Sequence, residues 1–164
     1  KLLYLSASSV PSKSANSVHV MRMCDAFEDS GMSTTLMCRK GDSVKTPHTY
    51  YGTKSTFRLK RYPSINLPGL SFLTALLYLL EIIKADTKST LIYGRDISSL
   101  ALCVLLRKKF VYESHGLPQK RLLVFLENII LRSKYLSGIV YISQALKGLY
   151  QQRKTHQKNQ RIWT

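Results

Sequence analysis

Residues 110–118 read Phe-Val-Tyr-Glu-Ser-His-Gly-Leu-Pro and predict a short buried strand that ends in polar side chains and a turn. The strand covers residues 110–112, and Glu113, Ser114 and His115 follow where the apolar run stops. In an open parallel α/β sheet, ligands bind beyond the carboxyl ends of the strands. His115 is therefore a candidate for proton chemistry, because an imidazole titrates near neutral pH. The alternative is a histidine that only caps the strand or hydrogen-bonds a loop carbonyl.

Further apolar runs alternate with helical patterns on both sides of this stretch. Strands are predicted at 2–5, 33–38, near 56–60, at 91–93 and at 138–142. Helices are predicted at 16–30, 69–84, 100–107, 122–136 and 144–152. This alternation predicts an α/β fold, with a doubly wound, mostly parallel sheet that carries helices on both faces.

The helix spacing also predicts which side chains face the sheet. Asn16 or Ser17 is expected to cap the first helix. In the helix 69–84 the inward residues are expected to be Leu70, Leu73, Leu76, Leu77, Leu80 and Ile83. In the helix 122–136 they are expected to be Leu122, Phe125, Leu126, Ile129 and Ile130.

The charge of the chain is unusual for its size. Its 164 residues include 25 Lys and Arg but only 9 Asp and Glu, giving a net charge of +16. Such an excess indicates an anionic partner, which is nucleic acid, an acidic membrane surface or a phosphorylated substrate. Basic and aromatic residues alternate between 42 and 67, as in some nucleic-acid surfaces, but a solvated loop and edge strand explain this segment better because no nucleic-acid motif accompanies it.

Several site classes are excluded by missing patterns. The three cysteines, Cys24, Cys38 and Cys103, lack metal-ligand spacing and indicate a reducing compartment rather than disulfides. The glycine patterns of dinucleotide sites and P-loops are absent, as is the G-x-S-x-G elbow of hydrolases. No metal or other cofactor is predicted. The apolar run 67–80 is too short to span a bilayer and indicates a buried or partly membrane-facing helix.

Two more strand ends carry groups that suit anions. The serine-rich stretch 12–17 leads into a helix N-terminus, where free N–H groups and the helix dipole favour a phosphate. Arg95 follows the strand at 91–93 and is suited to clamp a phosphate or carboxylate. An ion pair of Arg95 with Asp96 or Glu113 is an equally good explanation.

Four stretches together resemble the N-terminal domain of GT-B-fold glycosyltransferases, specifically the retaining enzymes of family 4. They are Ser14-Ala-Asn-Ser-Val-His-Val-Met-Arg-Met-Cys-Asp-Ala-Phe27, Ile92-Tyr-Gly-Arg95, Val111-Tyr-Glu-Ser-His-Gly-Leu-Pro118 and Val140-Tyr-Ile-Ser-Gln-Ala-Leu-Lys147. The resemblance implies a Rossmann-like domain that mainly holds the acceptor, whereas a second domain binds the nucleotide-sugar donor.

The resemblance also implies roles for individual residues. Ser14, Ala15 and Asn16, where many relatives have a glycine pair, would form the loop that approaches the donor diphosphate. His115 would be the family histidine that reaches the transferred sugar. His19, Arg95 and Glu113 would line the cleft and its acceptor side.

On this interpretation residues 1–152 form the glycosyltransferase domain, and 153–164 are a basic tail or the start of a linker to an absent donor domain. The chain alone is then expected to be inactive. The expected partners are a nucleotide-sugar donor, a saccharide or lipid-linked acceptor and an anionic membrane surface, contacted through Lys54, Arg58, Lys60 and Arg61 beside 67–73. Nucleic acid is not expected, and the expected location is the cytoplasm, peripheral at the inner face of the membrane. The competing hypothesis is a non-catalytic basic α/β module that binds nucleic acid or an anionic membrane.

Overall fold

The computed structural model describes residues 1–41, 46–54, 56–63, 71–86 and 88–154, with the backbone alone at 71–74 and 153–154. Its strands are β1 (Leu2–Val10), β2 (Thr34–Lys40), β3 (Arg58–Tyr62), β4 (Leu91–Gly94), β5 (Phe110–Ser114) and β6 (Leu136–Tyr141). Its α-helices are α1 (Ala15–Asp29), α2 (Pro47–Tyr51), α3 (Leu79–Lys84), α4 (Ile97–Leu105), α5 (Arg121–Arg132) and α6 (Gln144–Lys154), and a 3-10 helix, Ser71–Tyr78, leads into α3.

The six strands form one sheet in the order β3-β2-β1-β4-β5-β6, and every neighbouring pair is parallel. The chain runs outward in one direction from β1 to β3 and then returns beside β1 to build the other half. A crevice therefore opens at the carboxyl ends of β1 and β4, where the direction of winding reverses. The sequence prediction of a doubly wound α/β fold is confirmed.

Successive side chains of β1 point to opposite faces of the sheet, so they contribute to two separate core clusters. Leu2 and Tyr4 belong to the cluster packed under α1 and α2, whereas Leu3 and Leu5 belong to the cluster on the opposite face. The opposite face is covered by the 3-10 helix and by α3 to α6. The three cysteines are buried and unpaired, as the sequence predicts.

The first strand is longer than predicted. The apolar run ends at Leu5, but β1 continues through Ser6, Ala7 and Ser8 and pairs with β2 again at Ser9 and Val10. Val10 is fully buried, which anchors this extension. The turn before α1 is consequently short, and the N-cap is Ser14 rather than the predicted Asn16 or Ser17.

Two predicted inward faces are confirmed only in part: Ile130 is buried and Leu77 packs against the core, but six of the other predicted residues are exposed. The segment 71–84 begins as a 3-10 helix, whose tighter three-residue turn places Ala75 and Tyr78 on the buried side, followed by Ile82 in α3. In α5 the buried residues are Glu127, Ile130 and Leu131. Exposed apolar residues that were expected inside are Leu76, Leu80, Ile83, Leu122, Phe125 and Ile129.

Some sequence predictions fall on parts of the chain outside the described residues. These are residues 67–70 of the apolar run, with the predicted inward residue Leu70, the side chain of Leu73, and the end of the tail, 155–164. The short strand predicted near 56–60 is confirmed as β3, which is an edge strand of the sheet.

Candidate functional site

The N-terminal part of α1 meets the ends of both β4 and β5. Asn16 of α1 contacts Arg95 directly after β4, and His19, almost one turn later, contacts Glu113 at the end of β5. The structure thus brings together residues that are far apart in the sequence, as expected for the carboxyl edge of a parallel sheet.

Glu113 is the centre of the first group of side chains. Its Oε1 atom lies 2.8 Å from Nε2 of His19 and also contacts Nε2 of His115. Its Oε2 atom accepts a hydrogen bond of 2.5 Å from the Tyr4 hydroxyl. The two imidazole rings meet edge to face, with centroids 5.0 Å apart. We call His19, Glu113 and His115 the histidine cluster.

The carboxylate is the buried member of this cluster. Only 2% of the Glu113 side chain is exposed, against 38% for His19 and 23% for His115. Burial opposes ionisation of Glu113, but hydrogen bonds from His115, Tyr4 and His19 outweigh it and lower its pKa to about 2. Glu113 is therefore a carboxylate at neutral pH, held under two solvent-accessible imidazoles.

Tyr4 and Tyr93 complete the surroundings of this carboxylate from the apolar side. Burial, with the negative charge of Glu113, raises the pKa of both phenols, so both keep their hydrogen. Their rings meet edge to face at 5.0 Å. The sequence analysis did not select either tyrosine. Tyr4 could have been found from the sequence, because it lies two positions after Leu2 in a predicted buried strand and a buried phenol needs a hydrogen-bond acceptor.

The three members of the histidine cluster place possible metal-ligand atoms within 4.8 Å of one another. Among the described residues this group is the one whose composition would suit a metal ion. However, both Nε2 atoms are already used in hydrogen bonds to the same carboxylate oxygen. A metal bound through these two Nε2 atoms would have to displace both of those hydrogens, so the contacts as they stand describe a hydrogen-bonded cluster.

The second group of side chains lines a cleft between the end of β1, the start of α1 and Arg95. This cleft, which we call the serine cleft, has a volume of about 390 Å³ and is lined by Ala7, Ser8, Ser9, Ser12, Ser14, Asn16, Ser17, Arg95, Asp96, Ile97 and Leu123. It lies at the crevice between β1 and β4. Its serine hydroxyls and the N-terminus of α1 make it a polar site with donors suited to an anion.

Internal hydrogen bonds shape the turn before α1. The Ser14 hydroxyl accepts from the N–H of Asn16 at 3.2 Å, and the Ser12 hydroxyl accepts from the N–H of Ser14 at 3.1 Å. Ser17 donates its hydroxyl to the Ser9 carbonyl at 2.7 Å. These bonds fix the predicted phosphate loop, Ser14 to Asn16, as the cap and first two residues of a helix.

Arg95 is held against this loop. Its Nη2 donates to the side-chain oxygen of Asn16 at 2.8 Å, while its Nη1 is buried and makes no hydrogen bond within the described parts of the chain. Asp96 caps α4 by accepting from the N–H of Ser99 at 3.2 Å. The ion pair considered for Arg95 is therefore not formed with any described residue.

The strand ends can approach closely because residue 94 is glycine. A Cβ atom added to Gly94 would lie 2.9 Å from the carbonyl oxygen of Leu5 and 3.1 Å from its Cβ. Any side chain here would push β4 away from β1 at the crevice and move Arg95 with it.

Solved structures of three glycosyltransferases share this architecture. HepE of Anabaena, in complex with UDP, superimposes with a TM-score of 0.62 at 17% identity, over 93% of this chain and 40% of its own. The apo form of WaaB, a lipopolysaccharide outer core galactosyltransferase, gives a TM-score of 0.58 at 16% identity, over 100% of this chain and 45% of its own. MurG of Acinetobacter baumannii gives a TM-score of 0.51 at 7% identity, over 89% of this chain and 42% of its own.

The chain has a GT-B-type Rossmann-like fold. It spans less than half the length of each of these structures. No protein-family model matches the sequence, and no match was found among curated proteins. The described part of this GT-B-type domain contains no helix with the length and apolar character that a membrane span requires.

Proposed function

We propose that this chain is the acceptor-side domain of a glycosyltransferase that moves a sugar from a nucleotide-sugar donor to a saccharide or lipid-linked acceptor. The observation that carries the proposal is the shared position of the serine cleft and the histidine cluster, which both border the N-terminal half of α1 at the carboxyl edge of the sheet. An anion-binding cleft beside an imidazole–carboxylate group suits a ligand that joins a diphosphate to a sugar.

The residues divide between these two parts of the ligand. Ser14, Ala15 and Asn16 approach the donor diphosphate with the N-terminus of α1, and Arg95, which lines the same cleft, extends this phosphate site towards the acceptor side. His115 contacts the transferred sugar, and His19 and Glu113 border it. The UDP in the HepE structure supports a uridine nucleotide as the first donor to test.

Three finer proposals accompany this function. Sugar transfer requires a second domain of the kind that the longer glycosyltransferase structures contain, which completes the donor site, so the 164-residue chain alone should bind donor groups weakly and transfer no sugar. Transfer retains the anomeric configuration. The protein acts in the cytoplasm, in polysaccharide biosynthesis, at the inner face of a membrane.

Phosphate recognition is testable on this chain with UDP, pyrophosphate and uridine as probes, followed by nuclear magnetic resonance. We expect UDP and pyrophosphate, but not uridine, to shift the amide signals of Ser14, Ala15 and Asn16. Arg95→Gln should weaken pyrophosphate binding about tenfold, since a hydrogen bond to a charged group contributes roughly that much. Arg58→Gln, an exposed change on the edge strand β3, removes the same charge and should have little effect. Shifts scattered over the basic surface, without this loop, would contradict the proposal.

Nucleic-acid binding is the second candidate, favoured by the net charge of +16 and by the exposed Arg58 and Arg61 on β3. Binding of a mixed-sequence DNA or RNA duplex that weakens steeply with salt would support it. We expect such binding to be weak and to leave the serine cleft unperturbed.

A further inference from the structure

The hydrogen-bond pattern around Glu113 determines where the hydrogens of the histidine cluster lie. An ionised carboxylate has no hydrogen and acts only as an acceptor. Glu113 is a buried carboxylate whose Oε1 atom contacts Nε2 of both His19 and His115. Each of these two Nε2 atoms must therefore carry the hydrogen and donate it.

A neutral imidazole carries one ring hydrogen, so the other nitrogen becomes an acceptor. With Nε2 protonated, His115 presents an unprotonated Nδ1 atom, which makes no hydrogen bond with any part of the chain that the structure describes. The His115 ring is 23% exposed, so a ligand is able to reach this ring. Tyr4 keeps Glu113 in place by donating to Oε2, the oxygen that the imidazoles do not use.

We propose that Glu113 is a positioning residue that holds His115 in the Nε2–H tautomer and leaves Nδ1 as the hydrogen-bond acceptor for a hydroxyl group of the transferred sugar. The sugar as the partner rests on the proposed function, whereas the tautomer rests only on contacts within the chain. Two imidazoles on one carboxylate oxygen also give His19 the same tautomer, so the two rings should behave alike.

The tautomer is measured directly from the ring nitrogen signals of the ¹⁵N-labelled chain, at a pH where the histidines are neutral. We expect both His19 and His115 to be Nε2–H, with a preference of at least about tenfold, because a hydrogen bond to a charged group contributes roughly that much. Glu113→Gln should reduce this preference until the two forms are comparable, since an amide is able both to donate and to accept. An Nδ1–H form of His115 in the wild type would overturn the inference.

Two variants separate the positioning effect from general damage to the fold. Tyr4→Phe removes a hydrogen bond from the same carboxylate but leaves Oε1 with both imidazoles, so His115 should stay Nε2–H. His19→Gln should also leave His115 unchanged. If Glu113→Gln does not fold, the tautomer of His115 in the wild type and in these two variants still tests the inference. Loss of both Nε2–H signals on adding Zn²⁺ would overturn the inference in favour of a metal site.

Failure of the proposed function gives a different result. We expect UDP-glucose, but not UDP, to shift the Nδ1 signal of His115. If UDP-glucose binds without moving Nδ1, the sugar hydroxyl is not its partner and that half of the proposal fails. A wild-type Nε2–H tautomer in the same sample would still establish Glu113 as the positioning group.

Discussion

At the scale of single residues, Glu113 is a carboxylate that is almost completely buried, with 2% of its surface exposed. A buried carboxylate is stable only when hydrogen bonds replace its hydration, and here two imidazoles and a phenol do so. Because its pKa falls from the ordinary 4.5 to about 2 on folding, ionised Glu113 stabilises the folded state.

The pH dependence of stability follows from that direction. The stabilisation is fully present above about pH 4.5 and is lost as pH falls through about 2, and it amounts to about 3 kcal/mol. We expect Glu113→Gln to lower the free energy of unfolding at pH 7 by up to this amount and to flatten its decline between pH 5 and 3. Tyr4→Phe should remove only part of this pH dependence. Urea unfolding across this pH range measures the free energy of unfolding of each variant. An equal pH dependence in wild type and Glu113→Gln would contradict the assignment of this effect to Glu113.

At the scale of elements, the closeness of β1 and β4 depends on Gly94. An added methyl group would meet the Leu5 backbone oxygen at 2.9 Å, and backbone is harder to move than a flexible side chain. We expect Gly94→Ala to destabilise the fold by about 1–3 kcal/mol and to weaken pyrophosphate binding, because Arg95 follows it.

Gly148→Ala is the matched control for this change. Residue 148 lies within α6, and an added Cβ would meet no atom within 4 Å. Alanine is the better helix former, so this variant should gain up to about 1 kcal/mol. Thermal unfolding of the two variants compares them, and a similar loss in both would show that the β1–β4 contact is not the cause.

The elements also show what the sequence was able to predict. Apolar runs and helical spacing indicated six strands and all but one of the α-helices, since burial of a parallel sheet leaves a strong periodic signal. The short helix α2 was missed, although Pro47 at its first turn and the left-handed Gly52 after it are typical boundary residues. The predicted inward faces of 69–84 and of α5 were right only for Leu77 and Ile130, because a 3-10 turn and a buried glutamate do not follow apolar periodicity.

The candidate site was predictable to the same limited extent. Arg95, Glu113 and His115 were selected because they follow strand ends, and His19 because of the family resemblance; the structure places all four around α1. Their partners were not foreseen, since a pairing such as Arg95 with Asn16 spans 79 positions and depends on the crossing of whole elements. The same holds for Glu127, buried in α5, which accepts hydrogen bonds from Tyr112 and Tyr150.

At the scale of the whole molecule, the net charge of +16 includes the four cations assigned to the proposed membrane surface, and these four differ in their surroundings. Two of the four cations assigned to it are partly neutralised, because Lys54 lies 2.5 Å from Asp29 and Lys60 lies 2.7 Å from Glu81. Arg58 and Arg61 are exposed and form no ion pair with any described residue. These two arginines should therefore contribute most of the attraction to anionic lipid.

Co-sedimentation with vesicles tests this surface. We expect the chain to bind vesicles of phosphatidylcholine with a third phosphatidylglycerol, not pure phosphatidylcholine, and to be released as salt rises. Replacing both Arg58 and Arg61 by Gln should weaken binding by roughly tenfold or more, since each basic side chain near the surface contributes about 1 kcal/mol. Lys88 and Lys109 are exposed just before β4 and β5, and replacing both by Gln provides a control with the same loss of charge. If replacing these two lysines weakens binding equally, total charge rather than this surface attracts the membrane.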